Sequence, residues 1–178
     1  MTSIPEKIKE NMIFVREQMS IAYPRIVMEE TARTVRFEAD IPHPVFNSVI
    51  TYEKGVSSEL VDDIHRITDR YRELNVPFTW LTWSHDAEVM ELRQALETNG
   101  LEKVDVISGM SLSLADWTYK SPAIPGLVIK QIQTHSDMAW FRDVVPLVFN
   151  FNGEASDVLV QVSEAASLGE NAPLRHYA

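Results

Sequence analysis

The side chains able to do acid, base or metal chemistry are spread thinly along this chain. Its five histidines, His43, His65, His85, His135 and His176, stand singly. None forms the His-x-x-x-His or His-Glu-x-x-His spacing that sets two imidazoles on one helical face for zinc. Isolated histidines serve as solvated or capping groups, so no metal site is expected. Cysteine is absent, which removes thiolate nucleophiles, Cys-ligated zinc and disulfides together. Ser108-Gly109 lacks the flanking glycine of a Gly-x-Ser-x-Gly elbow, so a serine hydrolase is not indicated. The acidic pairs Glu29-Glu30 and Asp62-Asp63 read as solvated surface rather than as a general acid and base. Trp80 and Trp83 fall on opposite faces of one extended stretch. Core packing accounts for either, while Trp83-Ser84-His85 marks a strand end of the kind beside which α/β proteins bind ligands. Asn47, following Pro44, either hydrogen-bonds a substrate or satisfies the preceding turn, the turn being the commoner use.

These groups must be positioned mainly by residues 47–114, where helix and strand periods alternate with stop signals between them. Over 58–74, Leu60, Ile64, Ile67, Tyr71 and Leu74 recur at helical spacing. Ser58 and Asp62-Asp63 suit the start of that helix, Arg70 and Arg72 its end, and Asn75-Val76-Pro77 stops it. A second helix over 86–98 turns Val89, Leu92 and Leu96 inward and closes on Asn99-Gly100. Residues 47–52, 78–83 and 103–114 read as strands, the middle one covered on both faces and the last bent at Ser108-Gly109. A β-α-β-α-β order implies parallel pairing at the centre of a sheet.

Upstream, Ser3-Ile4-Pro5-Glu6 has the spacing of a capping box and predicts an amphipathic helix over 3–20, followed by a hairpin over 25–38. Downstream, 119–126 contains Pro122, Pro125 and Gly126 and reads as a linker. A new strand over 127–132 follows, then a helix from Ser136 that Pro146 should kink or shorten, a break at 150–153, a helix over 156–168, and an extended run at 173–177. The expected fold class is therefore α/β (α+β), a mixed central sheet flanked by helices, with one domain over 1–118 and the start of another over 127–178.

A net charge of −10, with no Lys/Arg-rich run, argues against nucleic acid or an anionic membrane as partner. No stretch approaches the ~18 to 20 apolar residues of a membrane span. The cysteine-free composition is compatible with a reducing cytoplasm, the expected compartment.

The strand and helix order, the close Thr98-Asn99-Gly100-Leu101 and the restart Pro125-Gly126-Leu127-Val128-Ile129-Lys130 resemble GNAT-family acyl-CoA N-acyltransferases. Phe46-Asn47-Ser48-Val49, Pro77-Phe78-Thr79-Trp80 and Pro173-Leu174-Arg175-His176-Tyr177 resemble members in which a degenerate GNAT-like half precedes the catalytic one. The resemblance covers most of the chain from about Pro42. It implies a GNAT-like sheet, acetyl-CoA as co-substrate, and a small-molecule or peptide amine as acceptor. It also implies that residues 149–153 lie at the loop walling the acceptor pocket, so that Phe149, Asn150 and Phe151, with Trp83 and Asn47, are the candidate substrate-binding residues. An aromatic pair at a helix end is equally often a hydrophobic cap, and both readings stand here.

This sequence departs from the family at two places that matter. The Gln/Arg-x-x-Gly-x-Gly/Ala loop that cradles the CoA pyrophosphate is absent, none of the six glycines being paired at that spacing. The position where the family often carries a proton-donating Tyr, four residues before the closing Gly100, holds Leu96. No catalytic or cofactor-binding residue is therefore expected, and the chain alone should neither hold acetyl-CoA nor turn over. It is expected to be the scaffold of a longer acetyltransferase whose reading frame continues past Ala178. The alternative is a GNAT-derived binding or dimerisation module, with an open sheet edge near 173–178 inviting a homodimer.

Overall fold

A computed structural model describes residues 3–55, 59–113, 115, 118, 124–148, 151–170 and 172–177. Among them are four strands and five α-helices, in a mixed α/β arrangement. Helix α1, Ile4–Ala22, begins where the capping motif predicts: the Ser3 hydroxyl accepts from the Glu6 N–H at 3.4 Å, and the Glu6 carboxylate accepts from the Ser3 N–H at 2.8 Å. Strands β1, Val27–Glu30, and β2, Thr34–Glu38, form the expected hairpin. Its turn is tied by the Thr31 N–H to the Thr34 carbonyl at 2.9 Å. Strand β3, Ser48–Tyr52, pairs antiparallel with β2 through an irregularity at Val35/Arg36. Helix α2, Leu60–Glu73, then crosses over to β4, Thr79–Trp80, which lies parallel to β3. The sheet order is β1-β2-β3-β4, and helices α3, Val89–Thr98, α4, Met138–Val148, and α5, Gly153–Ser167, follow it.

Each face of the sheet is covered by a different group of helices. On one, Phe37, Phe46 and Ile50 pack with Ala155, Val158 and Val162 of α5 and with the half-buried Met12, Ile13 and Met19 of α1. On the other, Ile67 and Tyr71 of α2 close over Val49, and Leu60 and Ile64 join Tyr52 and the α3 residues Leu92 and Leu96. The stripe that predicts α2 is thus the one the fold buries. Tyr71 also donates its hydroxyl to the Phe37 carbonyl at 2.9 Å, tying the helix to a strand backbone.

Several elements differ from their expected form. Residues 78–83 contribute only Thr79–Trp80 to the ladder, and both are half-buried rather than covered on both faces. Residues 103–113 join no ladder and lie exposed, so the third strand of the β-α-β-α-β unit is missing among the described residues. The strand expected at 127–132 reduces to one antiparallel bridge, Gln131 to Tyr177. A strand period marks a face fit for burial, but the ladder also requires a partner backbone. Helix α3 starts late, because Glu88 takes a left-handed conformation with φ 60°. Helix α4 carries Pro146 inside it and runs on to Val148, and it packs on α5. The Ser58 cap lies outside the described residues, as do 119–123 of the expected linker, while α5 shares one core cluster with the sheet. No helix among the described residues is long and apolar enough to cross a membrane.

Candidate functional site

The nine residues between β2 and β3 are tied down by Asn47. It is fully buried at the start of β3. Its Oδ1 accepts from the Ala39 N–H at 2.8 Å, and its Nδ2 donates to the carbonyls of Ile41 at 2.8 Å and His43 at 3.2 Å. Its own carbonyl accepts from the Thr79 N–H at 3.0 Å. The amide is therefore spent on the chain's own backbone, which is the turn role.

His43 stands on the loop so held. Its Nδ1 accepts from the Val45 N–H at 3.1 Å, which assigns the proton of the neutral ring to Nε2. The imidazole stacks on Phe151, centroid to centroid 3.9 Å, and Phe46 meets both rings edge-on at 6.2 and 6.1 Å. Arg16 of α1 reaches beneath to donate to the Val45 carbonyl, and burial lowers its pKa to about 10. Burial first, and then the Arg16 charge, hold the His43 imidazole below its ordinary value. The arrangement is an aromatic platform bearing one neutral imidazole, with a half-buried cation behind it.

Of the residues expected to bind substrate, the fold joins Asn47 and Phe151 through His43. Trp83 is set apart, its Nε1 donating to the Ile50 carbonyl at 2.7 Å. Ile50 lies about 10 Å along β3 from Asn47 at ~3.3 Å per residue. Lys9 of α1 sits 5.5 Å from the Trp83 ring centre and pairs with Asp86 at 2.5 Å. Trp80 turns to the α2 and α3 side and Trp83 to the α1 side, the opposite placement their spacing requires. Phe149 and Asn150 lie outside the described residues.

The sequence marks His43 only as one of five isolated histidines expected to be solvated or capping, and it marks Arg16 not at all. The prolines on either side of His43 and the cation beside the apolar stripe of α1 between Met12 and Met19 are the available signals.

The acidic pairs are not simply solvated. Asp62 and Glu30 are exposed, but Asp63 accepts from Arg66 at 2.8 Å, the Tyr52 hydroxyl at 2.9 Å and Arg33 at 3.2 Å. Burial alone would raise the Asp63 pKa, yet those hydrogen bonds outweigh it and hold the carboxyl below its usual value. Glu29 pairs with Arg36, which also meets the buried Glu38 at 3.0 Å, beside an open cleft of about 400 Å³ lined by Arg36, Arg66, Asp69, Arg70 and Glu73. The remaining histidines are dispersed. His65 meets Asn99 at 2.7 Å, His85 meets Ser84 at 3.1 Å, and His135 is exposed. His176 packs edge-on to Phe141 at 5.0 Å. Among the described residues no three His, Asp or Glu side chains gather to hold a metal ion.

Compared with known proteins, the chain matches no family model, no curated protein and no solved structure.

Proposed function

We propose that this chain is the scaffold portion of an acetyl-CoA-dependent N-acetyltransferase of the GNAT type. In such an enzyme an amine held against the thioester attacks the carbonyl carbon directly and CoA leaves as the thiolate. The observation that supports the reading is a mixed sheet with a crossover helix, followed by a largely helical segment. The sheet is three antiparallel strands followed by a parallel one through the crossover helix. The segment holds α4, α5 and an antiparallel contact between Gln131 and Tyr177.

On this reading the Phe151 and His43 platform is the wall of the acceptor pocket, with Nε2–H as its polar group. Trp83 supports the sheet rather than the pocket. On this reading the glycine loop and proton donor absent from these 178 residues belong to another part of the enzyme, and the compartment is the cytoplasm.

Expression of the reading frame with and without its downstream codons tests this. The longer product should transfer acetyl from acetyl-CoA to amines, and calorimetry of residues 1–178 should show no micromolar binding of CoA. A stop codon directly after Ala178, or CoA binding to the shorter chain, overturns the reading. The binding-module alternative is favoured by a separate feature, the exposed apolar run at 104–112.

A further inference from the structure

Residues 104, 106, 110 and 112 are Val, Val, Met and Leu, a strand-period stripe with no partner strand among the described residues. Their exposures are 81%, 70%, 89% and 69%, and Ile107 on the other side is 78% exposed. Ser108 and Gly109 interrupt the row, yet soluble domains rarely leave five large apolar side chains so close together in the open unless they form an interaction surface.

The same molecule carries a free edge of matching character. β4 is the last strand of the sheet. The N–H groups of Thr79 and Leu81 turn inward to the carbonyls of Asn47 and Val49 at 3.0 and 2.9 Å, which leaves the Trp80 backbone facing outward. The indole Nε1 of Trp80 is buried with no hydrogen-bond partner. In its own chain the stripe does not run along this edge. It passes α1 instead, where a Cβ on Gly109 would stand 3.2 Å from Ile8 Cδ1.

We propose that the run 102–113 of one chain adds to the outer edge of β4 in a second copy, and reciprocally, so that two molecules exchange strands. Charge selects this contact. Residues 106–113 and 78–83 carry no ionisable side chain, and Glu102, Lys103 and Asp105 at the start of the run sum to −1 in a chain of net charge −10, so two copies of a polyanion meet here with little like-charge repulsion. Area supports it too. At roughly 100 Å² per aliphatic side chain, as ~25 cal/mol per Å² implies for full burial, five side chains remove about 500 Å². Reciprocal exchange roughly doubles that for each copy, at or above the ~800 Å² per partner of a stable interface. The inference goes beyond acetyl transfer and does not depend on it.

Light scattering coupled to gel filtration, from about 1 to about 100 µM, reads the association. The expected mass is twice 20.3 kDa. Val106→Lys and Met110→Lys, at exposed positions, should leave the circular dichroism unchanged and weaken dimerisation by at least about tenfold. Because the chain has no cysteine, T82C and V104C can be placed in separate copies and mixed under oxidation, and a cross-link between copies is expected. A monomer throughout the range, or a dimer indifferent to both lysines, overturns the proposal. So does a T82C/V104C double variant that closes its cross-link within a monomer, which would mean that each chain covers its own edge.

Discussion

Residues 26–101 and residues 102–131 are comparably rich in aliphatic side chains, yet the fold treats them in opposite ways. In the first region the helix stripe of α2, the strands β2 and β3 and the Asn47 loop bury one another from both sides of a sheet. In the second, valines, isoleucines, leucines and a methionine stand open, and among the described residues only Gln131 forms a β-bridge, to Tyr177. The difference is one of partners rather than composition. An apolar pattern has stabilising value only when another surface removes it from water.

Substitutions should separate the two regions sharply. Ile64→Ala, at a fully buried position beneath α2, is expected to cost about 2 to 5 kcal/mol in urea unfolding, and a loss below 1 would deny α2 its place in the core. Asn47→Ala strands the Ala39 N–H and the carbonyls of Ile41 and His43, and about 1 to 3 kcal/mol should go with them. Ser3→Ala, which removes half of a capping box, should cost about 1 kcal/mol of the stability of α1. Met110→Ala at the same dilute concentration should fall within about 0.5 kcal/mol of the parent. If it cost as much as Ile64→Ala, the contrast between the regions would disappear.

Acidification gives a finer probe. His43 has its pKa lowered in the folded state, so protons bind the unfolded chain more readily. Its contribution is present above the ordinary histidine value and is lost as pH falls toward the depressed one. Burial pushes His176 the same way. Unfolding midpoints should therefore drop between about pH 7 and pH 5, with a shallower drop in His43→Gln. Asp63, also depressed, adds its loss only at lower pH.

What could be read from the sequence follows from how locally it is determined. The α2 stripe, the capping box at Ser3 and the opposed tryptophans need only spacing along the chain, and all are found. The strand pattern of 103–113 is equally plain in the sequence, but no spacing rule states whether a second backbone will be there to pair with it. Asn47 was legible as a turn residue by its position after Pro44, though its three partners emerge only from the folded loop. The stack of His43 on Phe151 joins residues remote in sequence, and no local signal encodes that meeting.

Helix α1 contributes no buried residue to the interior, although it is the longest helix described. It is fastened by Lys9 to Asp86, by Arg16 to the Val45 carbonyl, and by a half-buried stripe against the core. Few contacts need to break for it to lift away, so its amide hydrogens should exchange with solvent well before those of α2. Each such excursion would uncover the underside of the aromatic platform at His43, which makes the detachment of one helix a route by which solvent and small molecules reach the interior.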